Sequence, residues 1–152
     1  MIKNKLIKII LIFFFISGCG YNPIFSNKNS NFSIYELSTT GNNKLNKIIN
    51  NKLNHYKDSN NPKKFSLTIE TNLNKKVASR DTKGNPKTYS INLKSSVLIR
   101  DLKGNETKKT FSKSINYNNR DDKSSLKKYE NQTSKNLAEK ISDEIIIYLR
   151  SI

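Results

Sequence analysis

Residue types that usually carry catalysis or crosslinks are scarce in this chain. It has one cysteine, one histidine and no tryptophan in 152 residues. A single cysteine excludes a disulfide within the chain. The histidine, His55, has no cysteine or carboxylate cluster at catalytic or metal-binding spacing. We expect it at the end of a helix, where a positive charge is favourable.

Acidic residues are also few, with 12 against 28 lysines and arginines. Many of them fall on separate predicted loops and strands, so no acid and base can be paired for catalysis. These scattered residues are Asp58, Glu70, Asp81, Asp101 and Glu106. We therefore expect a protein that is not an enzyme and that uses no cofactor and no metal.

The first residues have the pattern of a bacterial lipoprotein signal. Three lysines precede an apolar run over 9–16, which is too short for a permanent membrane helix of about 20 residues. Small residues, Ser17 and Gly18, then lead directly into Cys19 and resemble a lipobox. We predict a cleaved signal peptide over 1–18 and acylation of the Cys19 thiol. The alternative is an uncleaved membrane helix with an incidental cysteine.

Acylation would hold the mature chain at a membrane without a spanning helix. Each buried methylene contributes about 0.8 kcal/mol, so the two or three acyl chains of a lipoprotein give stable attachment. Residues 19–31 are predicted to be the lipidated tether. By analogy with Gram-negative sorting, an Asp after the acylated cysteine favours the inner membrane, and this chain has Gly20 there. We therefore expect the outer membrane, on its periplasmic side.

The mature chain remains strongly basic. Removal of residues 1–18 leaves 25 basic and 12 acidic residues, a formal net charge of +13. This charge favours anionic partners such as lipid phosphates, acidic sugars or acidic proteins, and export argues against nucleic acid as a partner. The alternative is that much of the excess reflects a genome rich in AT, because Lys, Asn and Ile are all abundant.

Apolar periodicity over 32–152 predicts a single α+β domain with the order β-α-β-β-β-α. A short strand over 32–37 precedes a helix that begins near Asn43 and ends at a turn over 60–62. Three alternating segments then predict strands over 65–73, 89–99 and 111–117, and Asp122 is suited to begin a last helix that reaches Arg150. A four-stranded sheet covered by two helices forms a two-layer sandwich. Lys113 interrupts the third alternating segment and indicates an edge strand, a bulge or a ligand-facing position.

The start of the mature chain resembles that of the LptE (RlpB) family of lipopolysaccharide-assembly lipoproteins. The resemblance rests on Cys19-Gly20-Tyr21-Asn22-Pro23-Ile24-Phe25, which is similar to that family's Cys-Gly-aromatic-x-Pro-aliphatic-aromatic start. The resemblance continues in the order of the predicted elements and in the segment 137–141 of the last helix. The resemblance implies a lipoprotein that plugs the LptD barrel and assists lipopolysaccharide assembly. Tyr21, Pro23 and Phe25 would then contact the barrel.

If lipopolysaccharide is a ligand, its phosphates would be met by lysine or arginine. The richest supply lies in and beside the predicted loop between the second and third strands, at Lys75, Lys76, Arg80, Lys83 and Lys87. The alternative is an ordinary solvated hairpin end. A different lipoprotein, such as an adaptor for a cell-wall synthase or a lipid transporter, is the alternative function.

Overall fold

The computed structural model describes residues 30–57 and 61–152 and confirms the predicted fold class. The elements follow one another as strand, helix, three strands and helix. They are β1 (Ser33–Gly41), α1 (Asn43–Asn54), β2 (Lys64–Arg80), β3 (Pro86–Asp101), β4 (Glu106–Asn118) and α2 (Lys123–Ser151). The fold is therefore α+β in the order predicted from the apolar periodicity.

One mixed sheet carries all four strands in the order β1-β2-β3-β4. β1 runs parallel to β2, and the other neighbours are antiparallel. Both helices pack on the same face, because the alternate residues that point to this face are buried with the apolar stripes of the helices. The fully buried members include Ile69 and Leu93 of the sheet and Ile49 and Ile141 of the helices.

The first helix ends earlier than the sequence predicted. His55 caps α1 immediately after Asn54, and Tyr56 stacks on Phe32 with ring centroids 5.0 Å apart. The Ile34 amide also donates to the Tyr56 carbonyl at 2.9 Å. Tyr56 thus packs in the same core as the apolar side chains of α1, although it lies beyond the end of this helix. The position of His55 confirms the prediction of a helix-end histidine.

Strands β1 and β2 are longer than their apolar patterns indicated. Thr39 lies beyond the predicted strand over 32–37 but pairs with Ile69 in the parallel ladder. β2 continues past Leu73 to Arg80, which lies opposite Pro86. The physical reason is that ladder hydrogen bonds extend wherever a neighbour is available, even where side chains no longer alternate between apolar and polar.

The same hexapeptide, Arg-Asp-x-Lys-Gly-Asn, forms both hairpin turns, at 80–85 and 100–105. In each turn the aspartate Oδ1 accepts the backbone N–H groups of the lysine and asparagine at 2.8–2.9 Å. The glycines have φ of +85° and +84°, a region that favours glycine. We call the end of the sheet with turn 80–85 the distal end. The proximal end carries turn 100–105, the start of β1 and the end of α2.

Lys113 lies on an edge strand, as predicted. β4 is the last strand of the sheet and pairs with β3 without a bulge. The Lys113 ammonium forms an ion pair with Glu144 of α2. A lysine on the helix side of an edge strand is a common protection against pairing with other chains.

Candidate functional site

The basic cluster predicted from the sequence lies at and beside the distal turn. Arg80 Nη1 donates to the Gly84 carbonyl at 2.7 Å, while the Asp81 carboxylate is occupied by the turn itself. The backbone N–H of Asn85 is the main reason that the pKa of Asp81 lies below its ordinary value. Lys83 and Lys87 are exposed. The Asp81 carboxylate is thus hydrogen-bonded within the turn, and the side chains of Lys83 and Lys87 remain in solvent.

Lys75 and Lys76 are adjacent in β2 and therefore point to opposite faces of the sheet. Lys76 lies on the face without helices. Lys75 lies on the helix side, where its Nζ is 2.5 Å from Glu130 Oε1 and 4.3 Å from the centroid of the Tyr89 ring. The structure therefore does not bring all five predicted residues to one surface. It groups Arg80, Lys83 and Lys87 and gives Lys75 a structural partner.

Glu130 links Lys75 to an aromatic cluster beneath α2. The Tyr117 hydroxyl donates to Glu130 Oε1 at 2.7 Å, and the Tyr117 ring packs on the rings of Tyr89 and Tyr129. Burial and the bond to Glu130 raise the pKa of Tyr117. Burial opposes ionisation of Glu130, but hydrogen bonds from Lys75 and Tyr117 keep its pKa below the ordinary value. Glu130 thus stays ionised and holds Lys75 in place.

Two further cations lie at the distal end and were missing from the sequence prediction. The Asn119 amide groups donate to the carbonyls of Lys87 and Pro86 at 2.9 Å, which places the segment after β4 beside the start of β3. This segment carries Arg120, whose guanidinium lies 4.7 Å from the Tyr129 ring centroid, and Lys123. Counting residue pairs along the predicted β3–β4 hairpin, away from the turn at 100–105, would have placed Arg120 and Lys123 near the distal end.

The face of the sheet opposite the helices is a broad polar surface, which we call the open face. Hydroxyl and amide side chains bridge β3 and β4 across this face, with Ser90 3.2 Å from Ser114 and Asn92 3.2 Å from Ser112. A shallow groove of about 290 Å³ crosses it. Its lining residues are Glu70, Asn72, Asn74, Asn92, Lys94 and Ser96. The face can therefore donate and accept many hydrogen bonds.

The other predicted site residues, Cys19, Tyr21, Pro23 and Phe25, lie outside the described residues. Within residues 30–57 and 61–152, no group of three or more His, Cys, Asp and Glu side chains is placed to hold a metal ion. No helix in the described part of the chain combines the length and apolar character that a membrane span requires.

Solved structures with the same architecture include bacterial lipoproteins. Rare lipoprotein B from Shewanella oneidensis superposes with a TM-score of 0.62, covering 78% of this chain and 95% of that protein at 14% identity. The chain has the fold of rare lipoprotein B. The fold implied by the resemblance to the LptE (RlpB) family is thereby confirmed.

Two further structures support this fold assignment. The minor lipoprotein from Acinetobacter baumannii has a TM-score of 0.60 and 13% identity, covering 80% of this chain and 92% of that protein. The uncharacterized lipoprotein B from Nitrosomonas europaea has a TM-score of 0.58 and 9% identity, with coverages of 76% and 80%. No family model matches the chain, and no curated protein matches its sequence. The similarity thus lies in the structure and not in the overall sequence.

Proposed function

We propose that the chain is an outer-membrane lipoprotein of the LptE (RlpB) family, anchored through Cys19, that plugs an LptD-like barrel and assists lipopolysaccharide assembly. The observation that carries the proposal is the fold shared with nearly all of rare lipoprotein B. The lipobox-like start at Cys19 adds an independent reason, because it comes from residues outside the described domain. No covalent chemistry is required of the domain.

The shape of the domain suits a plug. β3 has 16 residues, so the sheet is about 50 Å long at the usual rise of a strand. A bilayer with its headgroups is about 40–45 Å thick. The chain enters β1 at the proximal end, so an anchor before this strand would leave the distal turn pointing away from the periplasmic leaflet. A domain held in a barrel could then reach from one membrane surface to the other.

The open face suits the wall of such a barrel. The interior of an outer-membrane barrel is polar, and the open face offers hydroxyl and amide groups with Glu70 and Lys94 in its groove. These groups can be buried at an interface because they find hydrogen-bond partners there. We therefore assign the open face to the barrel contact.

Co-purification tests the proposed partner. After detergent extraction, capture of the chain should recover a large outer-membrane barrel, and the Asn72→Trp variant should recover about tenfold less of it, because the new ring fills the groove of the open face. Asn136→Trp, at an exposed site on α2, is the matched control and should recover the barrel normally. Recovery of a cell-wall synthase or a lipid transporter as sole partner would replace this function with that of an adaptor.

The distal cations are proposed to bind lipopolysaccharide phosphates. We expect the double variant Lys83→Glu/Lys87→Glu to bind isolated lipopolysaccharide about tenfold more weakly in a direct assay, because two attractive charges become repulsive. This variant spares Arg80, whose side chain supports the turn. Lys135→Glu/Lys140→Glu changes the net charge equally at exposed sites on α2 and should bind normally. Equal loss in both variants would indicate a general charge effect and no distal site.

A further inference from the structure

The turns at 80–85 and 100–105 share five of their six residues and differ at the third. The variable residue is Thr82 in the distal turn and Leu102 in the proximal turn. The backbone and aspartate hydrogen bonds of the two turns are the same, so the turn itself does not require leucine. Leu102 nevertheless exposes 64% of its surface. Leu102 is therefore free of a role in its own turn and available for a contact outside the domain.

Leu102 borders an apolar pocket at the proximal end. The pocket has a volume of about 360 Å³, and its apolar lining comprises Phe65, Ile99, Leu102 and Ile152. Ile152 is also exposed, at 41%. Three lysines line the same pocket, at positions 63, 64 and 103. An apolar surface with a cationic rim has the composition of membrane-surface binding sites.

One aspartate, Asp101, stands against the three lysines in the lining of this pocket. The Asp101 carboxylate accepts hydrogen bonds from the Asn105 side chain and from backbone N–H groups of its own turn, which lower its pKa. Glu106 forms an ion pair with Arg100 across the β3–β4 hairpin. The Lys63 ammonium donates to the Ile152 carbonyl, whereas Lys64 and Lys103 take part in no ion pair among the described residues.

The chain path places this end beside the membrane anchor. Ser33 at the start of β1 pairs with Lys64 at the start of β2, and the Asn31 side chain donates to the Arg150 carbonyl at 3.1 Å. The segment between Cys19 and Ser30 cannot exceed about 40 Å even when fully extended. An acyl group on Cys19 would thus keep the proximal end at high effective concentration near the lipid surface.

We propose that the proximal end docks on an anionic lipid surface, with Leu102 inserted among the headgroups and Lys64 and Lys103 against lipid phosphates. This inference rests on the proposed function in taking Cys19 as the anchor. It adds a second, non-covalent lipid contact, which would hold the distal turn away from the periplasmic leaflet. Lipid is favoured over an acidic peptide because the pocket, the lysines and the chain entry all lie at the same end.

Tryptophan reporters test the orientation, since the natural chain contains none. The acylated chain carrying Leu102→Trp or Thr82→Trp is placed in phosphatidylglycerol vesicles that contain brominated lipid. We expect the Leu102→Trp emission to shift to the blue and to lose most of its intensity to bromine quenching. The Thr82→Trp variant is matched in turn geometry and should keep the emission of a solvent-exposed ring. Equal quenching of both reporters, or of neither, would overturn the proposal.

A second measurement does not depend on the anchor. The chain from residue 19 onward with Cys19→Ser retains the whole core, which runs from Phe32 to Leu149. We expect it to bind phosphatidylglycerol vesicles more strongly than phosphatidylcholine vesicles, and Leu102→Thr to weaken this binding about tenfold. Ile115→Thr removes another exposed aliphatic side chain, from β4, and should not change it. Equal binding to the two kinds of vesicle, or binding that is unchanged by Leu102→Thr, would overturn the proposed docking. This result would not depend on which partner the co-purification recovers.

Discussion

Replacement of Gly41 by alanine is expected to destabilise the domain strongly. Gly41 ends β1 with φ of +95°, a conformation that alanine adopts only with strain. An added Cβ would overlap the Thr71 carbonyl oxygen and lie 3.0 Å from its carbon. Because both groups belong to paired strands, neither can move without breaking the parallel ladder. We expect a loss of about 3 kcal/mol or more in the free energy of unfolding, measured by urea denaturation.

Gly84→Ala separates the two causes of this loss. Gly84 has a similar φ of +85°, but a Cβ there would meet no atom within 4 Å. Its replacement should cost only about 1 kcal/mol, from backbone strain alone. The difference between the two variants then measures the overlap with Thr71. If both variants lost the same stability, the close approach of β1 to β2 at Gly41 would be wrong.

The core and the element order could be predicted because burial leaves a strong periodic signal. The alternate apolar residues of β2 and β3 all point to the helices, as the period of two predicted. The stripe of α2 is buried in the same way, and Asp122 accepts the N–H groups of Ser124 and Ser125 at the predicted start. Local chemistry decides these features, so one sequence is enough to find them.

The missed features depend on residues distant in the chain. Thr39 gives no sign that β1 will pair with β2 beyond Leu37, because the partner strand supplies the hydrogen bonds. Lys75 is an ordinary basic residue until the fold brings Glu130 to its ammonium. Arg120 reaches the distal end only through the pairing of β4 with β3. The sequence thus predicted part of the basic cluster, but neither its division between two faces nor the contribution of Arg120.

The anchor is tested by replacing Cys19 with serine. We expect the Cys19→Ser variant to incorporate no labelled fatty acid in cells, because its serine hydroxyl cannot take the place of the thiol in thioether formation. The wild-type chain should be labelled and should lack residues 1–18 by mass. Ser17→Ala keeps a small residue before the cysteine and should be labelled normally. The effect is all or none, since Cys19 is the only thiol of the chain.

Folding of the domain gives the control for this variant. The buried core starts at Phe32, so Cys19→Ser should leave the thermal unfolding midpoint of the domain unchanged. Labelling of the Cys19→Ser chain would mean that the acyl group is attached elsewhere, and it would contradict both the proposed anchor and the proposed family. An unlabelled wild-type chain that retains residues 1–18 would instead favour the uncleaved membrane helix. In that case the chain would still enter the domain at its proximal end, because β1 begins there. The lipid contact of Leu102 would then be tested on a chain attached by a membrane helix.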